Sequence, residues 1–259
     1  MPEFITVCEE AARAGGAVLL DWAGRFTVRE KRPADLVTEA DLASQDAVRK
    51  VLQGRYPNHG FLAEEEELSI PSREDGFRWI IDPLDGTTNY VHGMHNYCVS
   101  VALERHGEIL AGAVFDPNAG ECYTASVGEG AYLNGRRLTV SDVDQLSQAL
   151  IAASFPPRVR RDDPGIEAFV EVLVASQAVR RLGSAALNLC YVAAGRLDGY
   201  WASATHPWDV AAGVLLVREA GGVVTDLDGG DLDLMQARLI AASGPPLAEQ
   251  IRDLVSTDS

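Results

Sequence analysis

The stretch from Trp79 to Tyr90, WIIDPLDGTTNY, drives an apolar strand into two aspartates three residues apart and then breaks into small hydroxyl-bearing residues. A segment that only had to turn would seldom place two carboxylates, a proline and a glycine so close together. Hard divalent cations such as Mg²⁺ prefer oxygen ligands, commonly one or two carboxylates per ion together with water and phosphate oxygens. Asp82 and Asp85 meet that need: Pro83 stiffens the turn between them, and the Leu84 carbonyl, outside regular pairing, offers a third oxygen. Gly86 lets backbone approach a ligand closely. Thr87 to Val91 then opens a helical turn, whose free amides and positive dipole end attract an anion. For a lone D-G-T the plain alternative is an Asx turn or a helix cap formed by Asp85.

Outward from this stretch the chain alternates helices and strands. Apolar positions from Phe4 to Leu19 recur at helical spacing and predict an amphipathic helix over Glu3 to Trp22. Thr38 opens a second helix reaching about Leu52, with Thr38-Glu39-Ala40-Asp41 as a capping box in which Asp41 reaches back to the cap amide. GFLAEEEE predicts a short strand running into Glu64 to Glu67, and FRWIIDPLDG a strand ending at Asp82, so both acidic clusters fall just past strand ends. A glutamate run of this kind is ordinarily a solvated face. His106-Gly107 suggests a hairpin turn and Asn134-Gly135 another. Helices are expected over Ile166–Ser176, Ser184–Ala194 and Pro207–Ala220, the last ended by Gly221-Gly222, with strands near 179–182 and 197–201. Asp209, in the first turn of that last helix, reads equally as a ligand and as an acid meeting the helix dipole.

The composition narrows the class. Of 259 residues 47% are hydrophobic and 23% charged, which suits a globular enzyme and not a disordered or fibrous chain. Twenty-two basic against 38 acidic residues give a net charge of -16, which repels nucleic acid and anionic membranes. The same field repels a phosphorylated metabolite unless bound cations reverse the local sign. Cys8, Cys98, Cys122 and Cys190 form no C-x-x-C pair and read as reduced core residues. With no basic leader and no apolar run of about 18 residues, a cytoplasmic protein without membrane or nucleic-acid partners is expected. No repeat or linker cuts the chain, so a single unit over 1–259 is expected, its halves meeting near 145.

DPLDGTTNYVHG, the pair Glu64-Glu65 after GFLA, DLVTEAD at Asp35 to Asp41, RLGSAALNLCYVAAGRLDGY and WDVAAGVLLVREAGG at Trp208 to Gly222 together resemble the inositol monophosphatase family, in the family's order and over almost the whole chain. The resemblance implies a layered α-β-α-β-α sandwich, usually dimeric, that hydrolyses a small phosphorylated polyol or sugar with Mg²⁺ and is lithium-sensitive. By it, Glu64, Asp82 and the Leu84 carbonyl hold one Mg²⁺; Asp82, Asp85 and Asp209 hold a second; and Glu65 helps a loosely bound third. Gly86 and Thr87 amides receive the phosphate, while Thr87, bonded to Asp41, orients the attacking water with Glu64. Gly183, Ser184 and Ala185 match the family's other substrate-side segment.

The chemistry agrees with that assignment. Phosphate monoesters hydrolyse so slowly that enzymes supply up to about 10²¹-fold acceleration. One general base contributes only about 10²- to 10⁴-fold, whereas paired cations stabilise both attacking and leaving oxygens. No G-x-S-x-G, C-x₅-R or GxxxxGK string competes with this reading. The sequence departs from the family at Ala202, where inositol-preferring members hold a glutamate against substrate hydroxyls; a methyl group accepts no hydrogen bond. Fructose-1,6-bisphosphate, histidinol phosphate and 3′-phosphoadenosine 5′-phosphate therefore stand beside inositol phosphate as candidate substrates. A non-catalytic dimeric regulator of the same fold is the alternative of another class.

Overall fold

The computed structural model describes residues 2–32, 35–65, 69–70, 76–156 and 158–256. Helices α1 (Pro2–Trp22) and α2 (Glu39–Arg55) flank a two-stranded ribbon of β1 (Val28–Arg32) and β2 (Asp35–Thr38). An eight-stranded mixed sheet follows, built from β3 (Gly60–Ala63), β4 (Ser69–Ile70), β5 (Phe77–Asp85), β6 (Cys98–Arg105), β7 (Glu108–Asp116), β8 (Glu121–Ser126), β9 (Gly130–Leu133) and β10 (Arg136–Arg137), in the order 10-9-8-7-6-5-3-4. The five-residue helix α3 (Thr87–Val91) interrupts it directly after β5. A five-stranded sheet, ordered 12-11-13-15-14, comprises β11 (Leu150–Ser154), β12 (Ala178–Arg180), β13 (Gly199–Ala202), β14 (Val223–Thr225) and β15 (Leu239–Ala242). Helices α4 (Pro164–Ala175), α5 (Ala185–Ala193), α6 (Pro207–Glu219) and α7 (Pro245–Val255) complete the chain.

Burial sorts these elements into five layers. Leu19, Val48 and Leu52 of α1 and α2 pack on Trp79, Ile81, Val99 and Val101 from one face of the large sheet. The opposite face, with Ile80, Ala102 and Val114, packs on α5 and α6, which also contact Tyr200, Leu239 and Ala241 of the small sheet. Ile151, Trp201 and Ile240 on that sheet's far side meet Val172 of α4 and Leu247 and Ile251 of α7. The order is α-β-α-β-α, as the family resemblance implied. An apolar surface all round marks a helix buried between layers. Val210, Ala211, Ala212, Val214, Leu215, Leu216 and Val217 give α6 that surface, and all seven are buried.

Local signals match their elements. Thr38 caps α2, with Asp41 completing the box, and His106 and Gly107 adopt left-handed φ of 54° and 88° at the β6–β7 turn. All four cysteines are buried and free. No described helix is long and apolar enough to cross a membrane. The expectation for β5 needs correction: the strand does not stop at Asp82 but runs on to Asp85 through a register irregularity. Strands β4, β8, β11, β14 and β15 and helix α7 are not among the expected elements.

Close approach between layers depends on small residues. A Cβ on Gly112 of β7 would lie 3.0 Å from the Ala212 Cα of α6, backbone that cannot swing aside. Overpacking of this kind costs about 1 to 3 kcal/mol. Gly112→Ala is expected to lower unfolding stability by that amount in urea titration; an unchanged midpoint would mean that α6 is free to shift off the sheet.

Candidate functional site

Strand β5 carries the first two carboxylates. It pairs antiparallel with β6, and Asp82 lies opposite Ser100 while Asp85 lies opposite Cys98. Three steps on β5 thus span two on β6, which is a one-residue bulge. On a regular strand side chains alternate, so residues three apart would face opposite sides. The extra residue restores parity: Asp82 and Asp85 both face the α5/α6 layer, as Ile80, Cys98 and Ala102 do, while Leu84 joins the outer cluster under α1 and α2. Pro83, which has no amide to give to a ladder, occupies the bulge where none is needed.

Each carboxylate meets backbone from a different segment. Asp82 Oδ1 accepts the Leu84 amide at 3.0 Å. Asp85 Oδ2 accepts the Ser184 hydroxyl at 2.6 Å and the Ala186 amide at 2.7 Å, and its Oδ1 accepts the Ala185 amide at 3.3 Å. Asp85 is therefore held at the positive end of α5, where a negative charge is favoured. The Cys98 thiol lies 3.9 Å from the same carboxylate. Asp209, in the first turn of α6, accepts the His206 amide at 2.7 Å.

Asp41 fills both roles considered from the sequence. Its Oδ2 accepts the Thr38 amide at 2.8 Å and the Thr38 hydroxyl at 2.6 Å, and its Oδ1 lies 3.4 Å from the Thr87 hydroxyl. The same Thr87 hydroxyl is 3.0 Å from the Leu84 carbonyl, so its one proton is shared between two acceptors. Gly86 takes φ of +95°, and a Cβ there would meet the Asn96 carbonyl at 2.9 Å. Glu64 follows β3, its amide donating to the Ile81 carbonyl at 3.3 Å, and Glu65 is buried. Glu66 and Glu67 lie outside the described residues.

Charge is concentrated here. Among the described residues, Asp82, Asp85 and Asp209 make no ion pair with lysine or arginine. Burial pushes Asp82 well above the usual aspartate range, reinforced by the charges of Glu64, Asp85 and Asp209, with only the Leu84 amide opposing. Burial likewise raises Asp209, with Asp85 the next cause and Glu64 adding to it. Burial also raises Asp85, partly offset by Ser184 and the α5 amides. The four acids therefore lie within electrostatic reach of one another. No three His, Cys, Asp or Glu side chains among the described residues close tightly enough on one point to hold an ion as they stand. Asp85 and Asp209 turn oxygens onto helix amides instead, which leaves further lone pairs on each carboxylate. An all-oxygen donor set of this kind fits a hard divalent cation.

The substrate-side residues fare unevenly. Asn89 and Asn96 both donate to the Leu182 carbonyl, at 2.8 and 3.1 Å, which seats Gly183-Ser184-Ala185 beside α3. Gly183 has φ of +85°, and a Cβ there would meet Asn89 at 2.8 Å. Ser184 is buried with its hydroxyl turned onto Asp85, not toward open space. Ala202 has no exposed surface and sits in β13 between Ser154 and Leu239. The pairing of both strand edges closes over it.

Sequence reasoning missed two residues of α2. The Ser44 hydroxyl donates to the Pro83 carbonyl at 2.8 Å, and Gln45 bonds the Glu65 backbone through both ends of its amide, each at 3.2 Å. The available signal was polarity at core-facing positions: Asp41, Ser44 and Gln45 share the buried face with Val48 and Leu52. Leaving such a buried group unpaired costs about 1 to 3 kcal/mol, so each implies a fixed partner.

Two sheets with helices between and outside them, and an acidic centre where the large sheet meets the central helices, define a layered α-β-α-β-α protein with a buried carboxylate site. The chain belongs to the inositol monophosphatase family, whose model matches residues 1–258. It is 44% identical over 247 residues to the inositol-1-monophosphatase of Rhizobium meliloti, covering 94% of this chain and 92% of the relative. It is also 39% identical over 255 residues to the Nus factor SuhB of Pasteurella multocida, covering 97% and 95%. Among solved structures, the extragenic suppressor protein SuhB of Bartonella henselae superposes with a TM-score of 0.94 at 37% identity, covering 99% of this chain and all of that one.

The raised aspartates fix a pH dependence. A folded carboxyl whose pKa exceeds its unfolded value stabilises the fold at low pH and loses that stabilisation as pH rises through the folded value. In chelator-treated protein, Asp82→Asn should melt higher than wild type at pH 7.5, and the gain should shrink toward pH 4. Equal melting gains at both pH values would show that Asp82 is not held up by burial and its acidic neighbours.

Proposed function

We propose that this chain is a Mg²⁺-dependent phosphomonoesterase that acts on a small phosphorylated polyol or sugar, in the manner of an inositol-1-phosphate phosphatase, and works as a homodimer. The observation that carries this reading is the gathering of Asp82, Asp85 and Asp209 with Glu64, raised by burial and by one another's charge. Glu64, Glu65, Asp82, the Leu84 carbonyl, Asp85 and Asp209 would hold two to three Mg²⁺, with Asp82 shared. Bound there, Mg²⁺ would neutralise the phosphoryl oxygens and acidify a water molecule.

The chain's own groups then orient the reaction. Asp41 Oδ2 is already occupied by Thr38, so Asp41 Oδ1 and the nearer Leu84 carbonyl are the acceptors open to the Thr87 proton. With its own proton donated to these acceptors, the Thr87 oxygen presents lone pairs that accept a hydrogen bond from the attacking water, while Glu64 takes up the one proton the water loses. Water attacks phosphorus in line, the P–O bond to the leaving alkoxide breaks, and the alkoxide takes up a proton. The Gly86 and Thr87 amides receive the phosphate, with Gly183, Ser184 and Ala185 on the substrate side. Family membership and the relatives named inositol-1-monophosphatase support this reading.

A second reading, a non-catalytic regulator, is favoured by the relatives named Nus factor SuhB. A phosphate-release panel with Mg²⁺ separates the two: inositol-1-phosphate, fructose-1,6-bisphosphate, histidinol phosphate and 3′-phosphoadenosine 5′-phosphate. Turnover of at least one is expected, and release from none would select the regulator. On the substrate that is turned over, Thr87→Ala is expected to lower kcat about 10²-fold with little change in KM. An unchanged kcat would remove Thr87 from the water-orienting role.

A further inference from the structure

Helix α2 turns three polar side chains toward the core, Asp41, Ser44 and Gln45, at helical spacing on the same buried face as Val48. Each is matched to a different acid-bearing segment: Asp41 to Thr87, Ser44 to the Pro83 carbonyl, and Gln45 to Glu65. The Gln45 contact differs in kind. Its Nε2 donates to the Glu65 carbonyl and its Oε1 accepts the Glu65 amide, both at 3.2 Å, so both polar groups of one residue's backbone are gripped at once.

That double contact stands where the sheet stops. Strand β3 ends at Ala63, and the Glu64 amide makes a last backbone bond to the Ile81 carbonyl at 3.3 Å. One residue later Gln45 takes over as a side-chain substitute for a neighbouring strand. Glutamine suits the task because it carries a donor and an acceptor side by side, whereas an ionised glutamate only accepts and a lysine only donates. Gln45 is itself 5% exposed, so water does not compete freely for either bond.

We propose that Gln45 is a positioning residue that fixes the Glu64-Glu65 segment against Asp82 and Asp85, and so governs how tightly the site retains a divalent cation. This rests on the reading of the acidic centre as a cation site. Partners that orient ligands from outside the coordination sphere typically change metal affinity by roughly 10- to 100-fold when removed.

The test is Mn²⁺ binding to the full chain, read from the electron paramagnetic resonance signal of free Mn²⁺, with no turnover involved. Gln45→Met keeps side-chain length and removes both bonds; Gln45→Ala removes bonds and bulk. Both are expected to weaken Mn²⁺ binding at least about tenfold. Val48→Ala, which opens a cavity on the same helix face without touching the Glu65 backbone, is expected to bind as wild type does. Wild-type affinity in both Gln45 variants overturns the proposal. An equal loss in Val48→Ala also overturns it, because general loosening of α2 would then explain the effect. Asp82→Asn tests the underlying reading separately: wild-type affinity in that variant sinks the cation site itself, whatever Gln45 does.

Discussion

One extra residue in β5 decides where the negative charge of this protein collects. The bulge between Asp82 and Asp85 turns two carboxylates that strict alternation would send to opposite faces toward the same central layer. Two unit charges about 4 Å apart repel by about 4 kcal/mol at an effective dielectric constant near 20. A backbone hydrogen bond contributes only about 0.5 to 1.5 kcal/mol net. Burial and mutual repulsion accordingly raise both Asp82 and Asp209, despite the amides that hold them. At Asp85 the rise is partly offset, since three donors at the start of α5 attend to it.

The acidic centre lies at a seam. Asp85 reaches from the large sheet to α5, Asn89 and Asn96 reach from the α3 region to the Leu182 carbonyl, and Gly112 lets α6 settle on β7. Asp209 rides on α6 and shares its placement. Rigid helices and strands, not loops alone, thus set the distances on which binding and catalysis would depend, and such elements hold a site more accurately than loops do.

The fold does not choose among its uses. Relatives named inositol-1-monophosphatase and relatives named Nus factor SuhB match this chain over nearly the same length. Function has to be argued from the site. Near that site Ala202 is sealed in the strand layer.

By itself the sequence determined what depends on neighbours along the chain. The Thr38–Asp41 box spans three residues, the turns at His106-Gly107 and Asn134-Gly135 need only adjacent φ angles, and the all-round apolar face of α6 states its own burial. The acidic motif was legible for the same reason: its members lie within one short segment. Only the tertiary structure decided which groups meet. Asp85 and Ser184 are 99 residues apart, Gln45 and Glu65 are 20 apart, and the facing of Asp85 depends on a bulge that the D-P-L-D spacing does not spell out. A side chain's partner across such distances is fixed by how layers pack and strands register. For that reason the partnership of Gln45 with Glu65 stayed hidden until the layers were in place.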